Sequence, residues 1–196
     1  MDNADLEAVL TSVRDFVRKE VVPLEREIDE NDEVPEHVRR TARDMGLFGF
    51  AIPESYGGLG LSASEEVRLM FELGYTTPAL RSMFGTNNGI AGHVLLEGGT
   101  EEQKQRWLPR LASGEVVASF ALTEPDAGSS PGDLRTTARA DGEDWVISGS
   151  KRYITNAPIA DVFMVFARTV AADGTQPGIS AFLVPPGRRG PLGRAA

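Results

Sequence analysis

Cysteine is absent from this chain of 196 residues. Its absence excludes disulfide frameworks, Cys-ligated zinc, iron–sulfur clusters and thiol nucleophiles. Histidine is scarce too: His37 and His93 are the only two, too far apart in sequence to form a local ligand pair. Long apolar runs are also missing. The longest, Val162 to Ala167, has six residues, whereas a membrane-spanning helix needs about 18 or more. The opening Met-Asp-Asn-Ala-Asp has neither the basic start nor the apolar stretch of a secretory leader. The expectation is a soluble, cytoplasmic protein with no membrane insertion. No Walker-type phosphate loop and no nearby Ser/His/Asp set is present, so a hydrolase reading has no support.

What remains is an ordinary folded composition, 41% hydrophobic and 25% charged. The length suits one or two domains. Lysine and arginine number 20 against 29 acidic residues, a formal charge of −9. The whole excess lies in residues 1–100, with 9 basic and 18 acidic side chains, and residues 101–196 balance. Such a first half repels a phosphate polymer, so nucleic acid is not an expected partner. The acidic excess itself reads as a solvated face.

The chain changes character near residue 115. Leu6, Val9, Leu10, Val13, Phe16, Val17 and Val21 recur in steps of three and four, one face of an amphipathic helix. Pro23 is expected to kink or end it. A shorter helix follows Pro35 and closes at Gly46, and residues 53–60 form a turn-rich loop. Ser62 with Glu65 is a capping box for a helix running to about Gly74, and another helix is expected over Ala79 to Leu96. Thr100 with Gln103 is a second capping box, for a helix that Gly114 ends. After Gly114 the period switches to strands: Val116–Thr123, Leu134–Ala140, Trp145–Ile154, Val162–Arg168 and Ile179–Val184. Asp141-Gly142 and Ser148-Gly149 punctuate them as turns, an antiparallel pattern without a βαβ unit.

Few residues carry chemistry. Gly58-Leu59-Gly60 has the start of a dinucleotide fingerprint but lacks its strand and βαβ context, so it reads as a loop entering a capped helix. Glu65 and Glu66 point to different helix faces, and His93, among Ile90, Val94 and Leu95, reads as a structural or surface histidine. Two stretches stand apart. Phe120-Ala121-Leu122-Thr123-Glu124-Pro125-Asp126-Ala127-Gly128-Ser129 ends a strand in a loop able to present N–H groups and a hydroxyl to an anion. Lys151-Arg152-Tyr153-Ile154-Thr155-Asn156 ends another strand with an aromatic ring and a hydroxyl. Singly, each is a plain turn or a ligand loop. Together they could flank a planar, polar-edged cofactor.

These two stretches, with GLFGFAIPESYGGLGL near residue 50 and GTEEQKQRWLPRLASGE at 99–115, resemble the acyl-CoA dehydrogenases over residues 1 to about 185. The resemblance implies an α+β fold: an all-α N-terminal domain (1–115), then an antiparallel β-barrel middle domain (116–185), incomplete at the C-terminus. Residues 186–196, rich in Arg, Gly and Pro, are expected to be an unstructured tail. It implies FAD as cofactor, with Phe120, Leu122, Thr123, Gly128, Ser129, Tyr153, Ile154 and Thr155 binding it. Thr123 would bond the pyrimidine edge of the flavin and Thr155 would donate near N5. Tyr153 would pack on the ring, where many relatives carry Trp or Phe. Gly128 and Ser129 would reach the pyrophosphate, and Ser129 the acyl-CoA as well. Donors at these edges stabilise the negative charge of a reduced flavin.

The implied reaction is α,β-dehydrogenation of an acyl-CoA thioester, with a glutamate base taking the α proton and an electron-transferring flavoprotein reoxidising the cofactor. A homo-oligomer is implied for the full-length form. Ser130 departs from the family's usual Asp, which weakens one loop contact. The family's C-terminal helical domain, which carries the base, is not matched in this sequence, and Glu124 belongs to the cofactor loop. The chain alone is therefore expected to lack the base. Two alternatives stand beside this reading: a non-catalytic flavin- or CoA-binding module or pseudoenzyme needing a partner chain, and a structural protein with an exposed apolar face.

Overall fold

The computed structural model describes residues 2–142, 144–170 and 178–185, and the statements below concern these. The expected tail at 186–196 lies outside them. The chain forms two compact units, residues 1–117 and 118–196. None of the described helices is long and apolar enough to cross a membrane.

In the first unit, Leu6, Leu10, Val13, Phe16, Val17 and Val21 form one buried stripe along α1 (Asn3–Phe16) and the π-helical turn Val17–Val21 that continues it. The Asp2 carboxylate caps α1, accepting from Asp5 N at 2.8 Å. Pro23 lies in a 3₁₀ turn, Val22–Leu24, and α2 (Glu25–Asn31) follows at once. The proline redirects the helical path and does not end it, because in a first turn its missing N–H is not needed. After α3 (Glu36–Asp44) comes the loop at 53–60, where a Cβ on Gly58 would sit 1.9 Å from the Ile52 carbonyl oxygen. Only glycine permits that approach, and Gly60, at φ +61°, takes the left-handed backbone that glycine adopts freely.

Both capping boxes form. Ser62 N donates to Glu65 Oε2 at 2.7 Å, opening α4 (Ala63–Leu73). Thr100 N donates to Gln103 Oε1 at 2.9 Å, opening α7 (Glu101–Ala112). Between them, the single helix expected over Ala79 to Leu96 is three pieces: α5 (Pro78–Gly85), a π-helical turn Thr86–Gly92, and α6 (His93–Gly98). The π turn turns Asn87 and Asn88 inward. Asn87 Nδ2 donates to the carbonyls of Leu111 and Val116 at 3.1 and 2.8 Å. Asn88 Nδ2 donates to those of Leu47 and Phe84 at 2.8 and 3.2 Å, and Asn88 Oδ1 accepts from Ala51 N at 3.1 Å. Around them Phe84 packs edge-on against Phe48 and Phe50, with ring centroids 5.8 and 6.3 Å apart.

The second unit holds β1 (Ala118–Ala121), β2 (Thr137–Asp141), β3 (Asp144–Ser148), β4 (Val162–Val170) and β5 (Ile179–Val184). The expected antiparallel barrel is not what forms. The sheet is mixed, and among the described residues it does not close on itself. β1 and β2 both run parallel to β4, at Ala118↔Val162 and Thr137↔Arg168, whereas β2–β3 and β4–β5 are antiparallel. β5 takes one edge of β4, so β1 and β2 share the other edge end to end. The difference has a physical source: turn dipeptides report only adjacent strands, and Asp141-Gly142 does make the β2–β3 hairpin with Gly142 at φ +63°. Parallel pairing is set by crossovers of a dozen residues or more, which leave no local mark.

Three expected strands are also shorter than their apolar runs. Residues 134–136 precede β2 because the N–H groups of Arg135 and Thr136 bond the Glu124 carboxylate. Residues 149–154 leave the sheet because their polar groups bond the loop after β1. Val116 and Val117 are buried ahead of β1.

Candidate functional site

The two stretches singled out in the sequence meet in the strand unit. β1 ends at Ala121, and the chain folds into a tight turn in which Glu124 N donates to the Ala127 carbonyl at 2.9 Å and Ala127 N to that of Glu124 at 3.3 Å. Residues 151–156 run alongside. Arg152 N donates to the Thr123 carbonyl at 2.9 Å, and Lys151 Nζ to the Leu122 carbonyl at 3.0 Å. Ser119 Oγ donates to the Thr155 carbonyl at 2.6 Å, tying the far end of the second stretch back to β1. Each connection joins residues that are distant in sequence, so the two loops are fixed as one surface.

Behind that surface lies a carboxylate, 7% exposed. Glu124 accepts from Arg135 N at 2.6 Å, Thr136 N at 2.9 Å and Lys151 Nζ at 2.8 Å. Burial works against its ionisation, but these donors outweigh burial and hold its pKa at about 2. It is an ionised anchor, and a carboxylate so poor in basicity cannot take protons near neutral pH.

In front stand groups of another kind. Tyr153 is 78% exposed, its backbone at φ +58°, with the Arg152 guanidinium carbon 4.7 Å from the ring centroid. A bulky residue held in the left-handed region is strained, and such strain collects at functional sites. Among the described residues, the hydroxyls of Thr123, half-buried, and Thr155, exposed, take no intramolecular hydrogen bond, whereas the carbonyls of Leu122, Thr123 and Thr155 are all occupied. Phe120, Leu122 and Ile154 are half-buried, and the Phe120 ring leans on Phe166 at 4.9 Å. The arrangement offers hydroxyls near a flat ring and engages three backbone carbonyls within the loops. It suits a planar ligand with acceptor atoms on its edges.

Of the eight predicted residues, seven are brought together in this way. Gly128 joins them because a Cβ there would lie 3.9 Å from Thr123 Cγ2. Ser129 is exposed beyond the turn and makes no hydrogen bond to the others among the described residues. The sequence reading missed Lys151 as the partner of Glu124, since no local spacing joins positions 27 residues apart. It also missed the inward amides of Asn87 and Asn88, whose only sign was two polar residues inside a helical pattern.

The helical unit has a concavity of its own, lined by Ala51, Glu66, Asn88, Gly89, His93 and Leu96. Burial raises the Glu66 pKa, and His93 partly counters it. His93 is exposed at this concavity. Among the described residues no cluster of three or more acidic or histidine side chains is arranged for a metal ion.

Comparison with known proteins places these features in a family context. Family descriptions of the acyl-CoA dehydrogenase N-terminal domain and of its middle domain match residues 3–115 and 119–193. The chain is 36% identical over 178 residues to a 3-(aryl)acrylate reductase of Clostridium sporogenes, covering 91% of this chain and 47% of that protein. It is 38% identical over 172 residues to an acyl-CoA dehydrogenase of Bacillus subtilis, covering 88% and 45%. Among solved structures, a glutaryl-CoA dehydrogenase of Mycobacterium smegmatis in complex with FADH2 superposes with a TM-score of 0.83 at 36% identity, covering 94% of this chain and 46% of that one. The chain thus spans a little under half the length of these relatives.

Proposed function

The chain belongs to the acyl-CoA dehydrogenase family, and we propose that it binds FAD on the paired loops of its strand unit and serves the α,β-dehydrogenation of an acyl-CoA thioester. FAD, when bound, supplies the hydride acceptor. The residues do the rest. Thr123 and Thr155 would offer hydroxyls to the flavin and Tyr153 its ring, and Phe120, Leu122 and Ile154, half-buried, would give the loops an apolar backing. Gly128 leaves space beside Thr123 for the phosphate side of the cofactor, and Ser129 offers a hydroxyl to the pyrophosphate and to the CoA substrate. Electrons leave to an electron-transferring flavoprotein, and the enzyme acts as a homo-oligomer.

The observation that supports this reading is the pairing of the two loops, with the Leu122, Thr123 and Thr155 carbonyls engaged between them and the Tyr153 ring exposed. Fixed donors stabilise charge that develops on a bound ring without reorganising. The base that removes the α proton is not in these loops. Glu124 is ionised and fully engaged, and Asp126 is exposed and paired with Arg135 at 3.3 Å. The 196 residues alone are therefore proposed to hold FAD without turning over substrate.

Titrating the apo-protein with FAD and following flavin fluorescence tests the reading. Saturable quenching at one flavin per chain is the expected result, and no quenching at high protein concentration overturns it. Adding butyryl-CoA to the loaded protein without oxygen should leave the oxidised flavin spectrum unchanged; bleaching would show that a base is present after all.

A further inference from the structure

Glu124 and Lys151 are charged side chains of this site that no direct ligand role uses, and unlike Asp126, Arg135 and Arg152 they are nearly inaccessible, at 6% and 11% side-chain exposure. Three segments converge on them: the loop after β1, the approach to β2, and the stretch after β3. An ammonium has three donors, and Lys151 spends two of them, on Glu124 Oε1 and on the Leu122 carbonyl. The next residue, Arg152, then reaches the Thr123 carbonyl through its backbone N–H.

Without this pair, nothing else among the described residues holds the Leu122 carbonyl. We propose that Glu124 and Lys151 are positioning residues that hold the Leu122 carbonyl inward, so that this acceptor is not set against an acceptor-rich ligand edge. The inference rests on the flavin reading given above.

A buried ion pair adds little net stability, since desolvation offsets much of its attraction. Fixing one backbone arrangement is a role such a pair fills better than an apolar contact, because its hydrogen bonds have direction. At this site the group the pair fixes is the Leu122 carbonyl, next to Thr123. A carbonyl released toward the ligand would place a lone pair against the acceptor edge and oppose negative charge there. The reduced flavin, which carries that charge, would lose more than the oxidised form.

The experiment compares Lys151→Met, Glu124→Gln and Lys151→Arg with the unaltered protein, reading FAD affinity, the two-electron potential of the bound flavin, and the unfolding transition. Lys151→Met is expected to weaken FAD binding at least tenfold and to shift the potential negative. A tenfold bias against the reduced form corresponds to about 30 mV. Lys151→Arg, which keeps charge and donors, is expected to bind within threefold of the unaltered protein. Where a single variant unfolds because it strands a buried charge, the Glu124→Met/Lys151→Met protein carries the test, since it leaves no unpaired ion. Folded variants with unchanged affinity and potential overturn the proposal while the flavin reading stands. Failure of the unaltered protein to bind FAD overturns the flavin reading itself.

Discussion

In the helical unit the hydrogen-bonding work of the interior falls to amides, with Asn87 and Asn88 at 0% and 1% exposure. In the strand unit it falls to an ion pair, Glu124 with Lys151. The amides satisfy carbonyls where a π turn and the surrounding loops leave helical ladders incomplete, and a neutral group loses little solvation in doing so. The ion pair gives up far more solvation, yet it stands immediately behind two exposed loops. A costly device beside an open surface and a cheap one inside a closed core indicate that the strand unit's buried charge is there for geometry. The helical unit's ion pairs are less enclosed: Arg14 Nε and Nη2 reach Glu72 at 3.0 and 2.5 Å across α1 and α4, with side chains 43% and 15% exposed.

The contrast can be broken experimentally, because the chain has two tryptophans and each unit holds one, Trp107 and Trp145. Trp145→Phe leaves a reporter for the helical unit, and Trp107→Phe one for the strand unit. Lys151→Met should have the largest effect. It leaves Glu124 charged and unpaired, and losing one partner of a buried pair costs about 3–5 kcal/mol. The Trp145 transition in urea should move by that amount, and a shift confined to Trp107 would refute the placement.

Acid comes next. The Glu124 pKa of about 2 lies below its unfolded value, which is about 4.3. The stabilisation is complete above the unfolded pKa and disappears as pH falls through the folded one, a loss on the order of 3 kcal/mol. Glu124→Gln should flatten the Trp145 response over that interval. A mutant that keeps the full acid dependence would assign it to other carboxylates.

A smaller loss is expected in the helical unit. Asn88→Ala abandons the carbonyls of Leu47 and Phe84 and the Ala51 N–H. Water can satisfy part of that deficit from the adjoining concavity, so a cost of about 2 kcal/mol follows. It should appear at Trp107 and at neutral and acid pH alike, since no proton is involved. A pH-dependent loss would blur the distinction between the two kinds of burial.

What could be read in advance divides along the same line. Helix starts are local, and Ser62 with Glu65 and Thr100 with Gln103 announced α4 and α7 within four residues each. The π turn at Thr86–Gly92 was not legible, because its apolar spacing differs from an α-helix by one residue and its cause is the long-range bonding of two asparagines. In the strand unit the apolar runs marked where strands lie, and the β2–β3 turn was visible. The parallel pairing of β1 and β2 with β4 was not, since it depends on residues 44 and 31 positions apart. The site followed suit. Thr123, Tyr153 and Thr155 stood out as residue types at strand ends. The carboxylate and ammonium that hold them in place looked like ordinary charges until the fold joined them.

The smallest effect on stability is expected where the consequence for binding is large. Tyr153 packs little, with its ring 78% exposed, and its backbone sits at φ +58°. A residue with a Cβ pays about 1–2 kcal/mol in that region, and glycine pays none. Glycine in turn makes the unfolded chain more flexible, which returns roughly 0.4–1 kcal/mol of the gain. Tyr153→Gly should therefore leave the Trp145 transition unmoved or raise its stability by up to about 1.6 kcal/mol. The same change removes the ring that the flavin reading places against the cofactor, so FAD affinity should fall. Stability and binding moving apart is the pattern of a residue kept for function at the expense of the fold. If Tyr153→Gly lowers both together, the ring is a packing element and its strained backbone carries no functional meaning.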